Sequence, residues 1–174
     1  SGITLSKGQL SFSGNIDKAV EKYLSSTIET SASNYKYQEG QCPGDEIAEL
    51  LEYALLNKKG EKIDRFDLYT EVEIMITFRV KKAGFQSVPN LHFFNQEGQY
   101  LFVSSAQNDI AVRSEGVYKA SFIILSYTFN VGVVNVGVAL TSYPGTVVSF
   151  FINPAITFEV EESNIHLRNS SYLG

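Results

Sequence analysis

Two periods divide this chain. Near its start, over residues 14–26, Ile16, Ala19, Val20, Tyr23 and Leu24 recur at i, i+3, i+4, i+7 and i+8, the spacing of one helical stripe. With Ser13 or Asn15 available as N-cap, the spacing predicts a short amphipathic helix. Periodicity then lapses. Ser25-Ser26-Thr27, Thr30-Ser31-Ala32-Ser33-Asn34 and the Gly- and Pro-marked stretch 39–45 read together as a linker or extended arm over residues 25–45.

Beyond that point the period is two. Val72, Ile74, Ile76, Phe78 and Val80 alternate with Glu71, Glu73, Met75, Thr77 and Arg79, the pattern of a half-buried strand. Residues 91–95 and 99–104 flank Asn95-Gln96-Glu97-Gly98, which predicts a hairpin loop closed by a glycine in the left-handed region, with Asn95 facing Gln99. Residues 117–125 alternate again, the valine-rich run 131–140 suits a strand buried on both faces, and Ile156, Phe158 and Val160 alternate with Thr157, Glu159 and Glu161. Tyr143-Pro144-Gly145 and Asn153-Pro154 are read as turns between them. One segment carries conflicting signals: residues 46–56 are rich in the helix formers Ala, Leu and Glu. The following Asn57-Lys58-Lys59-Gly60 turn and residues 61–66 argue instead for a hairpin, so the segment is read as a strand. With no helical period between these strands, the fold class is all-β, an antiparallel sandwich with a short N-terminal helix and linker.

Length and composition fit this picture. At 174 residues the chain lies within the size of one hydrophobic core. With 44% hydrophobic and 19% charged residues it can pack that core. Its net charge of −5 gives no basic footprint for nucleic acid or for an anionic membrane surface. No apolar run reaches the length of a membrane span and no signal peptide opens the chain. Cys42, the one cysteine, can form no internal disulfide. The opening Ser1-Gly2 is read as the scar of a removed tag, so the chain is expected to be an excised fragment whose partner domains are missing.

Catalytic signatures are few. There is no GxxxxGK[ST] or GxGxxG phosphate loop and no GxSxG nucleophile elbow, and His92, His166 and Cys42 have no metal-ligand spacing, so no cofactor and no metal are expected. Asp64, Asp67, Glu71 and Glu73 cluster in sequence, where a solvated strand edge accounts for them better than a glycosidase pair. The sequon Asn169-Ser170-Ser171 carries no functional weight.

The aromatic hairpin carries more. In the predicted register His92, Phe94, Tyr100 and Phe102 share one face and Leu91, Phe93, Leu101 and Val103 the other. Only one face of a sandwich sheet must meet the core, so the aromatic face is a candidate open platform for sugar rings. The alternative is that Phe94 and Phe102 are core. Gln107 and Asn108 in the polar loop that follows, with Arg113 and Arg79, could read hydroxyls or a sugar carboxylate. These eight residues are the candidate carbohydrate-binding set.

At this point the chain resembles a family: the C-terminal carbohydrate-binding domain of Wzt-type nucleotide-binding subunits in bacterial ABC transporters that export O-antigen polysaccharide. The likeness spans residues 45–162. It is carried by the Asn57-Lys58-Lys59-Gly60 turn with Phe66 downstream, the strand 71–80, Pro89-Asn90-Leu91-His92-Phe93-Phe94-Asn95-Gln96-Glu97-Gly98, Tyr100-Leu101-Phe102, Gly116-Val117-Tyr118 and Ile156-Thr157-Phe158-Glu159-Val160. Where the family often has glycine followed by tyrosine, this chain has Gly132-Val133-Val134.

The resemblance implies an immunoglobulin-like or jelly-roll sandwich over residues 46–174 and, over residues 1–45, a helix and linker toward a missing ATPase domain. It implies non-catalytic binding of O-antigen polysaccharide, its non-reducing terminus in particular, coupled to export. The partners it implies are the polysaccharide, the ATPase domain of the same chain, a transmembrane transporter subunit and a second copy in a homodimer, with no nucleic acid. The implied location is cytoplasmic, at the inner face of the bacterial inner membrane. The rival reading is an adhesin- or phage-like sandwich whose exposed aromatic face binds protein.

Overall fold

The computed structural model of the chain describes residues 2–6, 9–14, 33–106 and 111–163, the first two stretches as backbone alone. Among the described residues every regular element is a strand: β1 (Gly2–Ser6), β2 (Gln9–Gly14), β3 (Asn34–Lys36), β4 (Ala48–Leu56), β5 (Arg65–Asp67), β6 (Val72–Val80), β7 (Phe85–Asn95), β8 (Tyr100–Ser105), β9 (Val112–Arg113), β10 (Gly116–Ile124), β11 (Gly132–Tyr143) and β12 (Val147–Glu161). They form a β1-β2 hairpin, a four-stranded sheet in the order β10-β6-β4-β3, and a six-stranded sheet in the order β5-β12-β11-β7-β8 with β9 alongside β7. All pairings are antiparallel except β5 with β12.

The alternation in β6 does what its sequence requires. Val72, Ile74, Ile76, Phe78 and Val80 are all buried, and β-branched and aromatic side chains suit that pleated, half-buried surface. From the other sheet Leu91, Phe93, Val136, Val138, Ile156 and Phe158 join the same cluster, so the two sheets share one core. Phe158 lies at its centre, its ring 5.1 Å from Phe66 and 5.6 Å from Phe129.

Residues 48–56 form a strand despite their helix-forming composition, because β4 hydrogen-bonds to β6 on one side and β3 on the other. A one-residue irregularity explains the imperfect alternation. Leu50 pairs with Phe78 and Glu52 with Thr77, which leaves Leu51 as an extra residue, and the buried set passes from Ala48 and Leu50 to Tyr53 and Leu55.

Three expectations need revision. The chain turns at residues 57–60 as expected, with Gly60 at φ 78° and the Asn57 carboxamide accepting from the Lys59 and Glu61 amides. The expected hairpin with β4 forms over residues 61–63, where Lys62 bridges Leu56 and the Ile63 amide donates to the Leu55 carbonyl, but it stops short of residue 66, because Arg65–Asp67 crosses to the other sheet, where β5 lies parallel to β12. Asn153-Pro154 is not a turn between strands. It sits inside β12, where Val136 pairs with Ile156 and Val138 with Ile152, so three residues face the single Gly137 and the extra length is absorbed as a bulge. Part of the expected arm, Asn34–Lys36, is an edge strand. The helix expected over residues 14–26 lies outside the described residues, except Gly14, which ends β2.

Candidate functional site

The β7–β8 hairpin turns as its residues demand. Gly98 takes φ 81°, where a glycine pays no steric cost, and its amide donates to the Asn95 carbonyl at 3.0 Å. The Asn95 amide donates to the Gln99 carbonyl at 2.9 Å, and the Asn95 side chain accepts from the Gln99 amide at 2.8 Å. Phe94 therefore pairs with Tyr100, as expected.

The next pair departs from the expected register. Phe93 pairs with Phe102, leaving Leu101 as a bulge residue without a partner across the ladder. One extra residue reverses the parity of everything after it. Phe102 turns inward and stacks on Phe93 at 4.6 Å and on Phe129 at 5.6 Å, while Val103 takes the outward place opposite His92. The expected face of His92, Phe94, Tyr100 and Phe102 is thus corrected to His92, Phe94, Tyr100 and Val103.

The strand register extends this outward face across the sheet. His92 faces Gly137 on β11, Asn90 faces Ala139, and Ala139 faces Phe151 on β12. The Phe151 ring leans over Gly137, where an added Cβ would lie 2.7 Å from its edge, and comes within 5.0 Å of the His92 ring. His92 and Tyr100 lie 6.0 Å apart, with the Tyr100 hydroxyl 3.3 Å from His92 Nδ1, and Tyr100 meets Phe94 edge-on at 5.2 Å. Phe151, His92, Tyr100 and Phe94 form a diagonal aromatic strip from β12 to β8, about 14 Å long at ~4.8 Å per strand spacing. Phe151 and Tyr100 are 48% and 53% exposed, so the strip is an open surface.

Polar groups flank the strip on both sides. On one, Asn90 Nδ2 donates to Thr141 Oγ1 at 3.1 Å and the Ser105 hydroxyl donates to Asn90 Oδ1 at 2.6 Å. On the other, the Thr157 hydroxyl donates to Asn135 Oδ1 at 2.7 Å. Amides held this way present their remaining donors and acceptors in fixed directions. Burial lowers the His92 pKa from its ordinary value, which favours the neutral ring.

The other candidate residues lie elsewhere. Arg79 projects from β6 on the outer face of the four-stranded sheet, where its Nη1 donates to Glu49 Oε1 at 2.6 Å beside an open cavity of about 330 Å³ lined in part by Lys36, Tyr37, Cys42 and Glu52. Arg113 is buried between the sheets. Its guanidinium lies 5.6 Å from the Phe78 ring and 4.8 Å from the Tyr118 ring, and its Nε donates to the Ser87 carbonyl at 3.2 Å. Neither arginine reaches the strip. Gln107 and Asn108 lie outside the described residues.

The carboxylates of residues 64–73 are engaged separately: Asp64 with Arg65, Asp67 with the Tyr69 and Ser163 amides, Glu71 with Lys58, and Glu73 with the Ser121 hydroxyl. Among the described residues no three His, Cys, Asp or Glu side chains gather as a metal site, and no helix is long and apolar enough to cross a membrane.

Phe151 escaped sequence reasoning because β12 is irregular twice. Besides the bulge at residues 153–155, Leu140 pairs with Phe150 and Thr141 with Val148, which makes Ser149 an extra residue. Two interruptions so close together erase the period-two signal on either side of Phe151. The one available clue was the glycine in the middle of a valine-rich strand, which marks a close approach by a neighbour.

Comparisons with known proteins bear on this geometry. The model of the Wzt C-terminal domain family matches residues 42–171. The chain is similar in fold to the crystal structure of the C-terminal domain of Wzt, with a TM-score of 0.60 and 13% identity over 79% of this chain and 86% of that one. A β-glucosidase from Listeria innocua in complex with gluconolactone also matches, at a TM-score of 0.37 and 14% identity, over 62% of this chain and 16% of that one. No curated protein matches in sequence.

Proposed function

The chain belongs to the Wzt C-terminal domain family, and on that premise we propose that it is a non-catalytic module that binds O-antigen polysaccharide on the outer face of its six-stranded sheet. The observation that supports this most is the aromatic strip Phe151–His92–Tyr100–Phe94 with amide and hydroxyl groups on both flanks. Sugar rings combine apolar C–H faces with a rim of hydroxyls. An open aromatic surface packs against the former, and flanking Asn, Ser and Thr side chains hydrogen-bond the latter.

In this reading residues 46–174 are the glycan-binding sandwich, immunoglobulin-like or jelly-roll in type, and residues 1–45 lead to an ATPase domain of the same subunit. The module works in the cytoplasm as a homodimer, beside the transmembrane subunit of an ABC transporter, and reads the non-reducing end of the glycan before export. Gln107 and Asn108 follow β8 in the chain and are candidates to contact that end.

Amide NMR of the labelled domain, titrated with the O-polysaccharide of its source strain, tests this. Saturable shifts confined to the outward residues of β7, β8, β11 and β12, and lost in Tyr100→Ala, are the expected result. A folded sample that shows no shifts at millimolar glycan would overturn the reading in favour of a protein-interaction sandwich. Shifts that survive removal of the non-reducing terminus would overturn end recognition alone.

A further inference from the structure

The outer faces of the two sheets differ in charge. Strands β7, β8, β11 and β12 carry two charged residues between them, Glu159 and Glu161, both at the far end of β12. There they meet Arg65 of β5, whose Nη1 lies 3.3 Å from Glu161 Oε1. Strands β4, β6 and β10, by contrast, carry Glu49, Glu52, Glu73, Arg79 and Lys119. Since 19% of the whole chain is charged, the neutral stretch around the strip is a local property of this face.

Neutrality sets what can be seated there. A carboxylate or phosphate brought onto the strip gives up water and needs a guanidinium or ammonium in return. The guanidiniums described on this sheet are Arg65, engaged by Asp64 and Glu161 at the β5 edge away from the four rings, and Arg113, buried between the sheets, while Arg79 lies on the opposite sheet. The aromatic planes also present their negative quadrupole to whatever lies on them, which disfavours an anion further. A cationic sugar would need a carboxylate partner. Of the two carboxylates on this face, Glu161 is engaged by Arg65, and Glu159 lies two positions beyond Thr157 toward β5, outside the four rings of the strip. C–H faces and hydroxyls face none of these penalties.

Backbone detail fixes the width of the strip. Strand β11 runs between Phe151 and His92, and any side chain at position 137 would stand between their rings. Glycine there lets the Phe151 ring lie across the strand, since an added Cβ would be 2.7 Å from its Cε2 and 3.3 Å from its Cζ. Without that overlap the aromatic surface would stop at β7.

We propose that the sugar units recognised by this face are uncharged, and that Phe151, lying across Gly137, is the binding residue that carries the stacking surface over β11 to β12. The proposal rests on the reading of this face as a glycan site.

The test is a titration of the folded domain with the O-polysaccharide of its source strain at about 0.01 M and about 1 M salt, between which the screening length falls from about 30 Å to about 3 Å. A Kd that changes by less than about threefold is expected for a neutral ligand. Phe151→Ala and Phe151→Leu, the second keeping apolar bulk without an aromatic plane, should each weaken binding by about tenfold. A Kd that weakens steeply with salt would overturn the neutral-ligand proposal and leave the glycan reading standing. Unchanged affinity in both folded variants would overturn the role of Phe151. No saturable binding at either salt concentration would overturn the glycan reading and this proposal with it.

Discussion

Gly137→Ala isolates the contact on which the strip depends. The new methyl would lie 2.7 Å from Phe151 Cε2, 3.3 Å from Cζ and 3.4 Å from Asn153 Cβ. Ordinary carbon contacts are about 3.5–4.0 Å, so the ring edge must move by about 1 Å. The ring is 48% exposed and can swing outward. If it lost all of its remaining burial, roughly half of a ~200 Å² side chain at ~25 cal/mol/Å², the cost would be about 2.5 kcal/mol. A 1 Å displacement forfeits part of that, about 1 kcal/mol. Alanine also restricts the unfolded chain, which returns about 0.4–1 kcal/mol. The two effects nearly cancel, so urea denaturation should show a stability within about 1 kcal/mol of the parent at unchanged m-value. The displaced ring should shift the His92 ring protons and weaken glycan binding about fivefold to tenfold. A loss of more than about 2 kcal/mol with the His92 resonances unmoved would refute this account, because it would mean that the bulged backbone yields while the ring stays fixed.

Two further outcomes follow from the same packing. Arg113→Ala should cost about 2 kcal/mol in a urea melt by removing the guanidinium that packs beside the stacked Phe78 and Tyr118 rings, and Arg113→Lys should recover little of it because an ammonium does not stack; glycan affinity per folded molecule should stay unchanged, and selective loss of binding would place Arg113 in the site. Because burial lowers the His92 pKa, the unfolded chain takes up this proton first as pH falls below about 6.5. The stability due to neutral His92 is therefore complete above that pH and lost as pH drops toward the lower folded pKa. His92→Gln should flatten this part of the stability–pH curve, and parallel curves for parent and variant between about pH 7 and about pH 5 would contradict it.

Much of the fold was legible in local pattern. β6 and the last third of β12 show uninterrupted alternation, β11 is a valine-rich strand whose Val134, Val136, Val138 and Leu140 are buried while Val133, Asn135 and Thr141 on its outer face are only half-buried, and the Asn57–Gly60 and Asn95–Gly98 turns carry the residues that left-handed backbone positions require. His92, Phe94 and Tyr100 were legible as one outward group for the same reason: β7 is regular along its whole pairing with β11, and Phe94 meets Tyr100 before any irregularity intervenes.

The sequence by itself thus determined that this is a strand-built chain with an aromatic hairpin, because alternation and turn chemistry are properties of near neighbours. Tertiary structure decided the rest. The bulge residues Leu51, Leu101 and Ser149, and the longer bulge opposite Gly137, each reset which side chains face out, and only the last, with Pro154 inside the strand, leaves a mark in the adjacent sequence, since a bulge is settled by how two strands distant in sequence fit each other. That fit turned Phe102 inward and brought Phe151 out beside His92. Which sheet received Arg79, and which pair of stacked rings Arg113 packs beside, likewise depended on contacts that form only when the two sheets close over their shared core.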